Sequence, residues 1–374
     1  MNKYIFRCDL AKQYEQYSGE IENAAIKVLR SGVYTLGKEV ELFEKAFAKY
    51  TGRSYGVAVA SGTDALVLAL KSSGISQGDE VLTSTYAPAP VATAIVLAGG
   101  IPKFVDIDLD TLLIDPEEII RKVSSRTRFI IPVHLFGNIC NMLAINAIAK
   151  KYRLVVIEDA AQAHGSLLGR KKAGTFSLLS CFSFYPTKNL GAYGDGGIIL
   201  TDNNRIAKNL RLLRNYGKKY NPFDSEIVGL NSRMDELQAA ILRVKLRYLD
   251  RMNKKRISLF KLYKKGLKAA PLAFIKTGEN AISNCHILTV LCSYRRESLR
   301  DFLESSGIQT NIYYPKALHQ MNAFRKYVEK DEQFPASEMA TRQALALPLY
   351  PELSRKDVCF IIAKIRDFFG CPRM

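Results

Sequence analysis

Short apolar runs alternate with segments of helical periodicity through the first half of the chain, and this alternation constrains the fold more than any other feature. The apolar runs have the length and residue content of buried strands. They lie at residues 55–60, 80–82, 101–105, 128–133, 154–157, 178–184 and 197–200. Segments with helical spacing of apolar residues lie between several of them, at 63–71, 89–97, 116–123 and 142–151. Buried strands joined by helices predict an α/β fold with a mostly parallel central sheet that is covered on both faces.

The pattern changes in the last third of the chain. A long helical pattern begins at Asp235 and continues into Lys-rich turns. Beyond it, extended segments near 287–292 and 309–313 are flanked by helical segments at 298–305 and 356–369. The sequence therefore predicts a large α/β domain, residues 1–249, and a smaller C-terminal α+β domain, residues 250–374.

Several classes of protein are excluded by what the sequence lacks. No apolar run reaches the roughly 20 residues that a membrane-spanning helix requires. The charged N-terminus is not followed by the apolar stretch of a secretory signal. The seven cysteines are scattered and form no Cys-x-x-Cys pair, which argues against a disulfide framework and a zinc site. We therefore expect a cytoplasmic protein without a metal centre.

The chain is strongly basic, and its charge is unevenly distributed. It has 54 Lys and Arg against 36 Asp and Glu, a formal net charge of +18, and residues 201–270 hold 18 basic and 6 acidic side chains. Such a field attracts nucleic acid, an acidic membrane or a phosphorylated small molecule, although lysines on solvated helix faces are the plain alternative. Because no helix-turn-helix, RRM or zinc-finger signature accompanies the charge, we expect neither nucleic acid nor a membrane as partner.

A carboxylate is expected at one end of the predicted sheet. The apolar run 154–157 leads directly into Glu158-Asp159-Ala160-Ala161-Gln162-Ala163-His164-Gly165. In open parallel sheets, ligands bind outside the carboxyl ends of the strands, and Asp159 would lie there. A carboxylate in that place can bind a metal, a ribose or a protonated ring nitrogen, or simply cap the next helix.

A lysine with unusual neighbours follows about thirty residues later. Lys188 lies in Ser183-Phe184-Tyr185-Pro186-Thr187-Lys188-Asn189-Leu190, and a glycine-rich stretch follows it. Partial burial among such residues lowers the pKa of a lysine toward neutrality, and the neutral amine is the form that condenses with an aldehyde. A lysine that extends along the surface to reach solvent is the alternative.

A third element predicts an anion site. Ser61-Gly62-Thr63 connects the strand-like run 55–60 to the helical segment 63–71. Backbone N–H groups and the positive helix end would face an anion there, and the Ser61 and Thr63 hydroxyls add donors. Neither a nucleotide P-loop nor a Gly-x-Gly-x-x-Gly fingerprint is present. Pyridoxal phosphate (PLP) needs all three elements: a lysine for its aldehyde, a carboxylate for its ring nitrogen and a cradle for its phosphate.

The three motifs, in this order and spacing, resemble those of the sugar-nucleotide aminotransferases of the DegT/DnrJ/EryC1/StrS family. The similarity spans nearly the whole chain, from Ser31-Gly32-Val33-Tyr34 to Tyr313-Tyr314-Pro315. It implies the type I fold of PLP-dependent aminotransferases, with a large α/β domain and a small C-terminal domain. It also implies that Lys188 is the catalytic lysine, which bonds to the cofactor's aldehyde and later moves protons, and that Asp159 pairs with the pyridine nitrogen.

The resemblance implies further contacts. Gln162 would lie near the hydroxyl of the cofactor ring, while Gly62, Thr63 and Ser183 would hold the phosphate beside Ser61. An Asn in the position of Asn231 reaches the phosphate of the neighbouring subunit's cofactor in this family, which implies a homodimer with shared active sites. Contacts to the substrate are expected from Arg233, Tyr314 and His319.

The chain departs from the family pattern at two positions. By spacing, the aromatic residue that stacks on the cofactor in many members falls on Pro88, so we assign stacking to Tyr86, two residues earlier. The family's frequent His-Tyr-Pro is Tyr313-Tyr314-Pro315 here. Relatives that dehydrate sugars replace the catalytic lysine with His, so the presence of Lys188 argues against dehydration.

The activity implied by the resemblance is transfer of an amino group from glutamate to a keto-sugar carried by a nucleoside diphosphate. Residues 231–246 look closer to enzymes that act on 3-keto-6-deoxyhexoses, which implies C-3 amination of a dTDP-linked sugar, with C-4 amination as the alternative. Basic residues such as Lys218, Lys219 and Arg233 would attract the diphosphate. A non-catalytic PLP-binding regulator is less favoured, because residues 9–37 leave no room for an N-terminal DNA-binding domain. The missing glycine fingerprint argues against a nicotinamide oxidoreductase.

Overall fold

A seven-stranded sheet is the central element of the computed structural model, which describes residues 4–221 and 223–372. Its strands are β1 (Tyr55–Val59), β2 (Glu80–Ser84), β3 (Ile101–Val105), β4 (Thr127–Ile131), β5 (Val155–Asp159), β6 (Leu179–Ser183) and β7 (Gly197–Thr201). In space they follow the order β1-β7-β6-β5-β4-β2-β3. All run parallel except β7, which is antiparallel to both of its neighbours. The α/β fold with a mostly parallel sheet is thus confirmed.

Helices connect these strands and also precede and follow the sheet in the chain. They are α1 (Leu10–Ser31), α2 (Lys38–Thr51), α3 (Gly62–Ser72), α4 (Ala89–Ala98), α5 (Pro116–Lys122), α6 (Met142–Tyr152), α7 (Asn204–Leu213), α8 (Glu236–Leu246), α9 (Leu249–Gly266), α10 (Arg296–Ser305), α11 (Pro335–Gln343) and α12 (Arg355–Phe369). The α3 helix packs against β6, β7 and α4. The α8 helix packs against α1 and α2, and its Glu236 carboxylate accepts the backbone N–H groups of Gly37, Glu39 and Val40 at the start of α2. That carboxylate satisfies donors that every helix N-terminus leaves free.

A second core lies in the C-terminal part. It forms around an antiparallel sheet of β8 (Ala273–Phe274), β9 (Leu288–Leu291) and β10 (Ala344–Leu347), with apolar side chains from α9, α10 and α12. The α9 helix contributes to both cores, because Leu249 and Met252 pack in the large one and Leu259 and Tyr263 in the small one. The division of the chain at residue 249 stays a prediction.

Each of the seven apolar runs coincides with a strand of the central sheet, and each of the four helical segments between them coincides with a helix. Continuous apolar runs arise because these strands are covered on both faces, and β2 and β7 are buried at every position. The expected extended segment 309–313 is not a strand and makes only an isolated bridge between Asn311 and Ala346.

Other expectations concern membranes, metals and cysteines. Within residues 4–221 and 223–372, no helix combines the length and apolar content needed to cross a bilayer. The same residues hold no cluster of three or more His, Cys, Asp or Glu side chains that could bind a metal ion. All seven cysteines are free thiols.

Candidate active site

Three elements meet at the carboxyl edge of the central sheet. Asp159 is the last residue of β5, and Ser183 is the last residue of its parallel neighbour β6. The turn at residues 61–63 follows the carboxyl end of β1 and begins α3. This is the edge at which open parallel sheets bind their ligands.

Asp159 is a buried carboxylate with one oxygen left open. Its Oδ1 accepts the backbone N–H of Ala161 at 3.1 Å, whereas Oδ2 accepts no hydrogen bond from any residue that the structure describes. Burial raises the pKa of Asp159, and the Ala161 N–H and the charge of Lys188 oppose that shift. A carboxylate oxygen without a hydrogen-bond partner is suited to accept a charged N–H from a ligand.

Lys188 follows β6 by five residues and is partly buried. Its backbone N–H donates to the Tyr185 carbonyl at 2.8 Å, while its Nζ has no hydrogen-bond partner within the described part of the chain. Burial lowers the pKa of Lys188 to about 8, although the nearby Asp159 carboxylate favours the charged form. Roughly one amine in ten is then neutral at pH 7, against about one in three thousand at the ordinary lysine value.

The turn at 61–63 forms a close-packed cradle with the end of β6. A Cβ atom on Gly62 would lie 2.6 Å from Cβ of Ser183, and one on Gly197 would lie 2.2 Å from the Ser61 carbonyl oxygen, so both positions require glycine. Ser61 caps α3 by accepting the Asp64 N–H at 3.1 Å. Ser61, Gly62, Thr63 and Ser183 all remain partly exposed. Helix N–H groups and hydroxyls that face outward together make an anion site.

Gln162 and Tyr314 are joined in one hydrogen-bonded network. The Gln162 amide nitrogen donates to the Tyr314 hydroxyl at 3.1 Å, and its oxygen accepts the Phe136 N–H at 2.7 Å. The rings of Phe136 and Tyr314 stack with centroids 6.4 Å apart. Both ends of the Gln162 side chain are therefore fixed. The sequence predicted both residues for the site but not the bond between them.

Tyr86 has a different position from the one predicted. It has no exposed surface, and its hydroxyl donates to the Tyr313 carbonyl and accepts the Tyr314 N–H at 3.0 Å. Its ring meets that of Tyr314 edge to face. Because no face of the ring is open, a cofactor could not stack on Tyr86 in this arrangement. The geometry instead makes Tyr86 the support of the Tyr313–Tyr314 backbone.

His319 is held within the chain. Its Nδ1 lies 2.7 Å from the Thr85 hydroxyl oxygen, and its Nε2 lies 3.3 Å from a Glu338 carboxylate oxygen. Its ring is tilted against the Phe334 ring, with the centroids 4.6 Å apart. Both ring nitrogens thus have partners, and a contact to substrate stays a prediction.

Asn231 and Arg233 lie on the segment 214–233, which reaches the cradle through the residue between them. The Ser232 hydroxyl donates to the Asp64 carboxylate at 2.6 Å and accepts the Ala60 N–H at 3.2 Å. Asn231 is exposed, and Arg233 donates to the Asn215 side chain at 3.2 Å and lies over the Tyr216 ring. The contacts predicted for Asn231 and Arg233 stay predictions.

Two residues beside the predicted ones were not singled out from the sequence. Glu158 accepts hydrogen bonds from the His134 ring, the Ser177 hydroxyl and the Gly174 N–H; burial alone would raise the pKa of Glu158, but these bonds hold it below its usual value. Asn189 is buried and binds Asn253, His286 and the Asn284 carbonyl. The sequence feature that could have identified them is their position, because each is adjacent to a predicted catalytic residue.

Comparison with known proteins gives close relatives. The pleiotropic regulatory protein of Geobacillus stearothermophilus is 39% identical over 363 residues, which cover 96% of this chain and 97% of the relative. The dTDP-3-amino-3,6-dideoxy-alpha-D-galactopyranose transaminase of Aneurinibacillus thermoaerophilus is 40% identical over 360 residues, 96% of this chain and 98% of the relative. Relatives named for UDP-linked sugars match as well, among them a 3-aminotransferase of Acidithiobacillus ferrooxidans that is 35% identical, with 98% of each chain covered.

Solved structures of aminotransferases are also similar to this chain. S. venezuelae DesV matches with a TM-score of 0.96 and 37% identity, and 99% of both chains is covered. NtdA of Bacillus subtilis, solved with bound pyridoxamine phosphate (PMP), matches with a TM-score of 0.88 and 32% identity over 95% of this chain and 82% of that one. Residues 15–366 match the DegT/DnrJ/EryC1/StrS aminotransferase family, and the chain therefore belongs to it.

Proposed function

We propose that this protein transfers the amino group of glutamate to C-3 of a keto-sugar carried on a nucleoside diphosphate, with dTDP as the nucleotide. Aminotransferase activity and PLP as cofactor follow from the family to which the chain belongs. The observation that carries the proposal is the meeting of Asp159, Lys188 and the 61–63 turn at one sheet edge, with the Lys188 amine and one Asp159 oxygen left without hydrogen-bond partners in the described residues.

The residues present fit the cofactor. The open Asp159 Oδ2 suits a protonated ring nitrogen, the amine of Lys188 suits an aldehyde, and the cradle of Ser61, Gly62, Thr63 and Ser183 suits a phosphate. Gln162 is fixed beside this edge by Phe136 and Tyr314. When bound, PLP supplies an electron-withdrawing ring that stabilises negative charge on the carbon atom losing a proton.

Two side chains carry out the proton chemistry. Lys188 Nζ, with its pKa lowered to about 8, accepts the proton from Cα of the amino donor and later gives it up, because a base is most effective when its pKa lies near the working pH. Asp159 keeps a proton on the ring nitrogen, and burial makes its carboxylate a stronger acceptor than one in water. The same two groups serve both half-reactions, so ping-pong kinetics are expected.

A second copy of the chain is the proposed partner. Next to Asn231, the segment 214–231 exposes Tyr220 at 87%, Phe223 at 94% and Val228 at 93% of their surface. Large apolar side chains with so much exposed surface are candidates for burial against a partner. A homodimer would cover them and would bring Asn231 to the phosphate of the partner's cofactor, as the family resemblance implies.

C-3 amination is supported by residues 231–246 and by relatives. The transaminase named above for a dTDP-3-amino sugar is 40% identical, and the relative named for a UDP-linked sugar is also named as a 3-aminotransferase. Amination at C-3 is therefore better supported than dTDP as the nucleotide.

The test is turnover of a defined panel. Purified protein loaded with PLP is incubated with glutamate, glutamine or aspartate and with 3-keto or 4-keto sugars on dTDP or UDP, and products are identified by mass spectrometry. We expect an amino sugar from glutamate and the dTDP-3-keto-sugar, and no product with Lys188→Ala. Product from 4-keto sugars alone would overturn C-3 amination. Cofactor binding without turnover of any pair would favour a regulator, an outcome worth testing because one relative is named as a regulatory protein.

A further inference from the structure

Lys245 is a fully buried lysine that the chemistry described above does not use. It lies in α8, has no exposed surface, and forms no ion pair with a carboxylate in the described residues. Burial of an ammonium group is costly unless its protons find acceptors, so a lysine in this position requires an explanation. Burial lowers the pKa of Lys245 to about 8, with Glu352 favouring the charged form.

The partners of Lys245 lie in the loop that follows Lys188. Its Nζ donates to the backbone carbonyl of Gly191 and lies 4.7 Å from the centroid of the Tyr193 ring. A hydrogen bond from a charged donor and a cation–π contact both gain strength in a desolvated site. Lys245 thus connects α8 to this loop rather than to solvent.

A second α8 side chain holds the same loop. Gln238 lies two helical turns before Lys245, and residues seven apart share a helix face. Its side-chain oxygen accepts the Tyr193 N–H at 2.8 Å, and its nitrogen donates to the Tyr193 carbonyl at 3.4 Å. The backbone carbonyls of Gly191 and Tyr193 therefore both accept hydrogen bonds from one face of α8.

The loop needs such support, because residues 186–196 form neither helix nor strand. It folds back so tightly that a Cβ atom on Gly191 would lie 2.2 Å from the Pro186 carbonyl oxygen. The Ala192 N–H donates to the Phe184 carbonyl at 2.7 Å, and the Asn189 side chain bonds to Asn253, Asn284 and His286, so the part of the loop after Asn189 depends on α8. A displacement of Gly191 or Tyr193 would therefore also shift the position of Lys188.

We propose that Lys245 is a positioning residue, which fixes the loop after Lys188 and thereby the Lys188 amine at the cofactor site. The proposal rests on the proposed role of Lys188 and adds a cause for its placement. Because Lys245 acts through the loop and not on the sugar, its loss should reduce steps that use the Lys188 amine and leave binding of the sugar nucleotide unchanged.

The test compares Lys245→Met with Arg243→Met, a control on the same helix whose arginine pairs with Glu39 and lies outside the site. Cofactor-free protein is mixed with PLP, and attachment to Lys188 is followed by absorbance and by borohydride trapping with peptide mass spectrometry. We expect Lys245→Met to slow attachment and to lower kcat by about 10- to 100-fold, the effect of losing a charged hydrogen bond, with KM for the sugar nucleotide unchanged. Arg243→Met should match the parent protein.

Gln238→Leu keeps the proposal testable if Lys245→Met does not fold. It should slow attachment at Lys188 in the same way, and in a folded double variant the two effects should be non-additive, since both act on one loop. Normal attachment and kcat in either folded single variant, with only a lower melting temperature, would overturn the proposal. If the parent protein forms no bond at Lys188, the proposed role of Lys188 fails first, which separates the two ideas.

Discussion

The carboxyl edge of the central sheet and the segment 214–231 are joined through Ser232, the residue that follows the segment, yet their side chains differ in how many find partners within one chain. At the edge, buried polar groups such as Glu158 and Asn189 have several partners each, and the Lys188 amine and Asp159 Oδ2, which form no hydrogen bond in the described residues, are atoms that a cofactor would use. On the segment, apolar side chains such as Phe223 are almost fully exposed. Under the proposal of a homodimer, Asp159, Lys188 and the 61–63 turn come from one chain, and the partner chain would cover the segment beside them.

Asp159→Asn should have the largest effect on activity. It should affect only the first region, the carboxyl edge of the central sheet, and not the segment 214–231. An amide cannot hold a proton on a ring nitrogen as a carboxylate does, so we expect kcat to fall by about 10²- to 10³-fold, the effect of removing one preorganised electrostatic contact. Steady-state kinetics with glutamate provide the measurement, and light scattering should show unchanged assembly. A kcat within threefold of the parent value would mean that Asp159 does not have this role.

Phe223→Asp should affect the second region, the segment 214–231, and change assembly before it changes activity. A carboxylate at this exposed apolar position would have to be buried without a partner in a homodimer, which costs several kcal/mol. We expect the dimer to dissociate at micromolar concentration and activity to fall by about 10- to 100-fold, with recovery at high protein concentration. Sedimentation or mass photometry provides the readout.

Leu143→Asp is the matched control for this variant, because Leu143 is 75% exposed on α6, outside the segment. It should leave both assembly and activity unchanged. A parent protein that is monomeric and fully active would remove the basis for the comparison, because the segment would then need no partner.

The sequence was sufficient to predict the central sheet, while the roles assigned to the site residues stay predictions. Apolar runs covered by helices predict strands whatever their neighbours, and Asp159 was correctly predicted at a carboxyl end because an open parallel sheet places such residues there. The 309–313 segment was different. Its apolar and aromatic residues are those of a strand, but its backbone makes a single bridge at Asn311 and then turns toward Tyr86.

Side-chain partners explain what the sequence did not predict. Tyr86 was assigned to the cofactor because it is the aromatic residue nearest the expected position, and only tertiary structure shows that its hydroxyl is bonded to Tyr313 and Tyr314. Lys245 was indistinguishable from the many exposed lysines around it. A helix pattern predicts which face is buried, but not that a lysine on that face finds a carbonyl such as Gly191.

Tyr86→Phe should have a moderate effect within the first region. The variant keeps the ring but removes the hydroxyl that donates to Tyr313 and accepts from Tyr314, leaving a buried N–H without a partner. We expect kcat/KM to fall by about tenfold, in line with 1–3 kcal/mol for an unsatisfied buried group. Tyr263→Phe loses one buried bond, to the Pro348 carbonyl in the small core, and should lower only the melting temperature. Equal kinetics in both variants would show that Tyr86 has a purely structural role.

The pH dependence of cofactor attachment tests the first region without a mutation. With the pKa of Lys188 lowered to about 8, the neutral amine should increase about fivefold between pH 7 and pH 8 and level off above pH 9. A lysine in water would instead gain about tenfold per pH unit up to pH 10. Stopped-flow absorbance of cofactor-free protein mixed with PLP gives the rates, and a rate that still climbs steeply at pH 9.5 would contradict the burial of Lys188.

Salt should have the smallest effect, and it concerns the second region. Lys218 lies over the Tyr216 ring and Lys219 pairs loosely with Glu226 at 3.6 Å, so both remain near solvent and their field is screened within about 8–10 Å. We expect KM for the sugar nucleotide to rise about two- to threefold when ionic strength increases from roughly 0.05 to 0.5 M. Lys218→Gln with Lys219→Gln should remove that dependence. Lys264→Gln with Lys265→Gln, the same charge change in the last turn of α9, should preserve it. If both pairs act alike, the attraction comes from the net charge of the whole chain, and the segment contributes to the site only through its apolar surface and Asn231.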